Sequence, residues 1–132
     1  MTTKDKKELE KLKGIRITDV TDVPTFYFGN LATLYLKCPW RLVHNNERII
    51  IGDTEFKGQS TREKGMHILK NEILNKKIIS FEVSEGLKDI RILLEGKLRL
   101  DVFVHSALYE SWNLFMNQRN FIAIAGGQVA VV

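Results

Sequence analysis

The residue types able to do chemistry are few in this chain, and their spacing sets up no shared task. His44, His67 and His105 stand far apart, and no two of them have the short spacing with which a metal site takes its ligands. Cys38 is the only cysteine, so neither an internal disulfide nor a cysteine-based zinc site can form. Lying among Leu36, Pro39 and Trp40, it reads as a small apolar side chain and not as a nucleophile. There is no Gly-x-Ser-x-Gly elbow, and Gly126-Gly127 lacks the Lys-Ser/Thr of a phosphate loop, which leaves it a bulge or tight turn between strands.

Two carboxylates merit a closer reading. Glu110 stands two positions before Trp112, hence on the same strand face, and Asp53 holds the matching place relative to Trp40. Each has two readings: a structural latch, which for Glu110 would accept the Gly126 and Gly127 amides, or the wall of a pocket beside the tryptophan. The latch is preferred, because no second acid is placed to share acid–base work. No catalytic residue, cofactor or metal is therefore expected. The expected partner or pocket surface comprises Tyr27, Tyr35, Trp40, Asp53, Tyr109, Glu110 and Trp112, although both tryptophans are most simply core. Alternation turns Tyr27, Tyr35 and Phe103 outward, where they would form a patch.

The elements that must hold these residues follow from periodicity. Residues 1–13 form a Lys-rich, helix-prone segment whose only apolar side chains, Leu9 and Leu12, predict weak docking and a frayed start. Twofold alternation fills 14–58, with Pro24 and Pro39 between runs, and predicts a meander of short antiparallel strands. Residues 60–77 switch to helical spacing, with Met66, Leu69 and Ile73 on one face and Ser60 or Thr61 as the cap. Alternation returns over 78–132. Pairing Leu94 with Leu98 across an odd loop, Glu95-Gly96-Lys97, keeps every apolar residue of that hairpin on one face.

The two β segments repeat one another. Trp40-x-Leu42-x-x-Asn45 is matched by Trp112-x-Leu114-x-x-Asn117, residues 33–36 by 97–100, and the opening at Gly14 by that at Lys77. A four-residue loop from Asn117 to Asn120 would pair Met116 with Phe121 and Trp112 with Ala125; its equivalent would pair His44 with Ile49 and Leu42 with Ile51. Both hairpins carry apolar residues on both faces, so they are expected to be central and covered. The fold class expected is α+β, mainly β: one domain over 1–132, in which two similar antiparallel meanders of eight to ten strands in all form a sandwich or partly closed roll, with an N-terminal helix and an amphipathic helix between the halves.

At 132 residues and a net charge of +4, the excess lies in the two helical segments, +2 over 1–13 and +3 over 60–77, leaving −1 for the β body. A dedicated nucleic-acid surface gathers its charge with stacking aromatics, and this distribution argues against one. No apolar run is long enough to span a membrane, and with no signal-like stretch and one cysteine the expectation is a cytoplasmic protein.

The segments Asp89-Ile-Arg-Ile-Leu-Leu, Leu98-Arg-Leu-Asp-Val-Phe103, Tyr109-Glu-Ser-Trp112 and Gly126-Gly127, with Pro39-Trp-Arg-Leu42 and Gly52-Asp53, resemble a family of small uncharacterised bacterial β-rich proteins. Some similar proteins are encoded beside polymorphic toxins and act as immunity proteins. The resemblance implies a non-enzymatic role with another protein as partner, such as a toxin domain. The alternative is a small-ligand or nucleic-acid-binding β-roll; an enzyme would require a pocket uniting Glu110, His105 or Asp53. The uncharged tail Gln128-Val-Ala-Val-Val132 adds the expectation of a homodimer.

Overall fold

Where alternation is twofold the chain is extended, and where it is helical it is helix. The computed structural model describes residues 1–21 and 24–132. Helix α1 (Thr3–Leu9) runs into a short 3-10 turn (Glu10–Leu12). Strands β1 (Asp19–Thr21), β2 (Thr25–Phe28), β3 (Ala32–Leu36), β4 (Trp40–His44) and β5 (Arg48–Gly52) make up the first half. A second 3-10 turn (Asp53–Phe56) leads into α2 (Gln59–Ile73). The second half has β6 (Ile78–Val83), β7 (Ile90–Leu94), β8 (Leu98–Val102), β9 (Trp112–Met116), β10 (Arg119–Ile124) and β11 (Gln128–Val131). The chain is mainly β, in two antiparallel sheets with a helix at its start and another between the halves.

The sheets are ordered β1-β2-β3-β9-β10-β11 and β5-β4-β8-β7-β6. Neither half is a sheet of its own. Each places its first three strands in one sheet, crosses over, and places the next two in the other. Exchanging the halves maps β1-β2-β3-β9-β10 onto β6-β7-β8-β4-β5, so the pairing pattern has twofold symmetry, with β11 as an extra strand. The bridge between Arg16 and Lys77 lies where the two halves meet. Trp40 opens β4 opposite Val102 of β8, and Trp112 opens β9 opposite Leu36 of β3. The tryptophans therefore occupy equivalent places, both buried at 1–2% exposure, while Leu36 matches Val102 and residues 33–36 match 99–102, two further on than the sequence alignment had them.

Leu94 pairs with Leu98, Ile92 with Leu100 and Ile90 with Val102 across the three-residue loop, as the apolar pattern requires. The β9–β10 hairpin differs. Its loop is two residues, Asn117 and Gln118, both at positive φ, so Met116 faces Arg119 and Leu114 faces Phe121. Two positive φ angles in succession give the turn whose twist matches paired strands. The shift is two residues and the side-chain period is also two, so every residue keeps its face. In the β4–β5 hairpin Leu42 does meet Ile51, but a bulge then sets Val43 against Ile49 and His44 against Arg48. Eleven strands form among the described residues, more than expected. The outer faces of the hairpins are open and not covered, with Phe115 48% and Ile49 59% exposed.

Helix α2 ends at Ile73, four residues short of expectation, and begins after Gly58 without a side-chain cap; Thr61 instead donates to the Glu55 and Gly58 carbonyls. Its buried face, Gly65, Leu69 and Ile73, lies along β5 and β1. A Cβ on Gly65 would stand 3.2 Å from Ile51 Cδ1, so the glycine gives up helix propensity for close approach to the strand.

The first helix is anchored, against the expectation of fraying. Thr2 and Asp5 form a reciprocal capping box, and Leu9 and Leu12 are buried. Arg119 of β10 donates to Asp5 at 2.6 Å and also to Glu8, with its guanidinium 5.1 Å from the Phe121 ring. The Thr2 backbone N–H and the Arg119 guanidinium together hold the Asp5 carboxyl down at about 2, below its ordinary 3.8. A depressed carboxylate contributes stability that is full above its unfolded value and lost as pH falls through the folded one. Asp5→Asn is therefore expected to cost about 1–2 kcal/mol at pH 7, with the gap to the parent narrowing between roughly pH 4 and pH 2. Urea unfolding across that range checks it; a gap independent of pH would contradict it.

Candidate functional site

The crossovers between sheets, 37–39 in the first half and 103–111 in the second, meet at one end of the sandwich. Two adjoining concavities open there. One, of about 440 Å³, is lined by Trp40, Asp53, Cys38, His105, Lys57 and Arg62 among others. The other, of about 820 Å³, shares Lys37, Cys38 and His105 with it and adds Ser106, Leu108, Tyr109 and Glu110. Trp40, Asp53, Tyr109 and Glu110 are thus neighbours of this end, and Tyr35 joins them through Lys37, whose ammonium lies 5.7 Å from its ring. Tyr27 lies elsewhere, on the outer face of the six-stranded sheet beside Thr33. Trp40 and Trp112 are core residues and present no ring face to solvent.

The groups here are arranged as structure. Asp53 Oδ1 accepts the Trp40 backbone N–H at 3.2 Å and Oδ2 lies 3.5 Å from Lys57, which ties the start of β4 to the turn after β5. Asp53 latches the strand start and also lines the smaller concavity, so its two readings coincide. Glu110 is not a latch. It is half exposed and pairs with Lys37 at 3.5 Å, while the Gly126 amide donates to the Ser106 carbonyl. Trp112 Nε1 donates to the Lys88 carbonyl at 2.9 Å, whereas Trp40 Nε1 has no acceptor among the described residues. Burial pushes the Cys38 thiol up to about 12, and the charges of Asp53 and Asp89 add to the effect. A thiol so placed is not a nucleophile at neutral pH. Asp53 and Glu110 line different concavities, so no acid pair is assembled. Among the described residues no group of three or more His, Cys, Asp and Glu is placed to hold a metal, and no helix is long and apolar enough to cross a membrane.

The two solvent-facing sheet surfaces carry a feature that sequence alone does not display. On the five-stranded sheet, Glu82, Arg91, Asp101 and Arg41 lie side by side in one cross-strand row. Asp101 is buried, chelated by Arg99 at 2.8 and 3.0 Å and by Arg41 at 2.9 Å. The symmetry-related row on the other sheet is Thr21, Thr25, Tyr35, Asn113 and Ile122. Among the described strand residues from β2 to β11 that outer face, which also bears Tyr27, Thr33, Phe115, Asn120 and Ile124, has no charged residue; Lys37, just beyond β3, reaches its end over the Tyr35 ring. Asp19 stands at its far edge, 3.7 Å from Lys70 of α2. Phe103, expected beside Tyr27 and Tyr35, lies just past β8 at the end of the opposite sheet, under the Arg41 guanidinium at 5.2 Å. The signal for the uncharged face was present as alternation, but which strands share the face depends on a crossover invisible in the pattern.

Comparison with family models, with curated proteins and with solved structures yields no match to this chain.

Proposed function

We propose that this protein is a non-enzymatic binding module that docks a partner protein on the uncharged outer face of its six-stranded sheet. The observation that carries the reading is the contrast between symmetry-related faces. The twofold scaffold supplies its own reference: the outer row of the five-stranded sheet alternates acid and arginine, as a solvated sheet commonly does, and its counterpart has Thr21, Thr25, Tyr35 and Asn113 in place of Glu82, Arg91, Asp101 and Arg41. Interface centres are depleted of charge and enriched in aromatics, and this face meets both conditions around Tyr27, Tyr35 and Phe115. The partner is accordingly a protein presenting an apolar, uncharged surface; a toxin domain is the candidate that the sequence resemblance implies.

Exposed Leu108 and Tyr109 support the same reading. They sit on the second-half crossover, nine residues long where its first-half equivalent has three, so the excess chain projects apolar side chains at the margin of the face. The small-ligand alternative draws on the two concavities at this end. A nucleic-acid role has weaker support, since Lys6 and Lys70 of the helical segments are engaged by Glu85 and Asp19.

Placing a photoreactive phenylalanine analogue at position 115, 91 or 109 in the native cell distinguishes these readings. The expected result is a discrete protein adduct from position 115, abolished by Ile122→Lys, and none from position 91. Equal labelling at 115 and 91, or adducts from 109 alone, would overturn the assignment of the face.

A further inference from the structure

The four sheet edges are treated unequally. Helix α2 lies along β1 and β5. The β6 edge is met by the chain entering β1: Ile78 N–H donates to the Ile15 carbonyl at 2.8 Å and Ile17 N–H to the Lys76 carbonyl at 3.1 Å. Only β11 has no neighbour on its outer side among the described residues. Proteins protect bare edges with charge, proline, bulges or cover. Residues 120–132 contain no charged residue and no proline, so β11 has neither of the two defences that sequence can supply.

The register defines what this edge offers. Asn120 and Val132 exchange both of their backbone hydrogen bonds, at 2.7 and 2.9 Å. Alternation along an antiparallel pair then directs the amides and carbonyls of Ala130 and Gln128 toward β10, and those of Val129 and Val131 away from it. The Val129 and Val131 side chains pack at the margin of the core and remain partly exposed, while Ala130 stands on the uncharged outer face.

We infer that β11 pairs with β11 of a second copy, antiparallel about a twofold axis at Ala130, to give a continuous twelve-stranded sheet. A strand meeting itself about a twofold puts the residue on the axis opposite its own counterpart, so a charge there would face itself. The strand carries none. Val129 meets the partner's Val131 and the reverse, which satisfies all four outward-pointing backbone groups on each copy and extends the apolar margin across the seam. Ala130 meets its counterpart in a non-hydrogen-bonded pair, the arrangement in which side chains are closest. This assembly does not depend on the docking face. It would join the uncharged faces of two copies into one surface.

The test is the oligomeric state of the parent, Ala130→Lys, Ala130→Glu and an equimolar mixture of the two variants, by sedimentation and light scattering over a concentration series. Position 130 is partly exposed on an outer face, so each variant should keep the parent's circular dichroism and melting curve. The parent is expected to dimerise, each variant to raise the dissociation constant about tenfold or more through like charges juxtaposed in the interface, and the mixture to restore the dimer as a heterodimer. A parent monomeric throughout the series would overturn the inference. So would a lysine variant that dimerises as the parent does, or a mixture that associates no better than its components. None of these results bears on partner capture at Phe115, so the two proposals fail separately.

Discussion

Truncating Trp112 to alanine is expected to cost about 3–5 kcal/mol of folding stability, a large share of the 5–15 kcal/mol that holds a domain of this kind together. The indole is 1% exposed at the start of a central strand, between Leu36 on one side and the β10 strand on the other. Its removal leaves a cavity and also strips the Lys88 carbonyl of its donor. Trp40→Ala should fall in the same range, because that ring fills the equivalent place and is met edge-on by Phe26 at 6.1 Å and by the tilted Phe56 ring at 5.4 Å. The phenylalanine variants separate the two sites. Trp112→Phe loses a buried hydrogen bond and should be the worse by about 1 kcal/mol, whereas Trp40→Phe loses none, its indole N–H having no acceptor among the described residues. Urea titrations of the four variants measure this. An alanine variant at either position costing less than about 1 kcal/mol would mean that its tryptophan is not an anchor of the core.

How much of this was legible depended on the range over which each determinant acts. Local determinants were: strand alternation, the odd loop at Glu95-Gly96-Lys97, the amphipathic helix between the β halves, and the equivalence of Trp40 with Trp112 are each set within a few residues. The crossover of both halves between sheets was not, since alternation says which residues share a side of a strand and nothing about which strands share a sheet. The anchoring of the first helix was hidden for the same reason. Leu9 and Leu12 alone predict weak docking, and what completes it is Arg119, 114 residues from Asp5. The β9–β10 turn was misjudged because Asn117-Gln118 is a poor advertisement for two positive φ angles; Asn accepts that region readily and Gln does not.

The candidate face was only partly legible, since Phe115, Asn113 and Ile122, which share it with Tyr27 and Tyr35, carry no signal that singles them out in the sequence. Tyr27 and Tyr35 were picked out by alternation and do face outward, but the third aromatic expected with them, Phe103, lies at the end of the other sheet. Asp53 and Glu110 matched in sequence and diverged in use, one bound to the Trp40 amide and the other to Lys37 at the surface. The twofold pairing pattern explains why: Trp40 and Trp112, and Leu42 and Leu114, hold equivalent buried positions where packing constrains them, and the outer positions carry no such constraint. The divergence between outer rows is therefore where function can be read, and only pairing brings those rows into view.

The charged row makes the strongest demand on this argument, because its central acid is buried. Asp101 has a side chain 6% exposed, set between Arg99 at 17% and Arg41 at 41%, with Arg91 Nε a further 3.9 Å away. Arg99 is committed on both sides, since it also donates to Asn46. Asp101→Ala is expected to destabilise the fold by about 3–5 kcal/mol, because deleting one partner leaves the Arg99 charge uncompensated in a largely dehydrated setting. Asp101→Asn keeps the shape and one acceptor and should cost less, about 1.5–3 kcal/mol. Arg99→Ala added to Asp101→Ala should recover part of the loss, since the stranded charge goes with it, and that non-additivity identifies the cause. Additive losses, or an Asp101→Ala variant as stable as the parent, would show that the row is an exposed ladder of weak surface pairs. In that case solvent alone would account for the charged face, and the uncharged face would lose the reference against which it stands out.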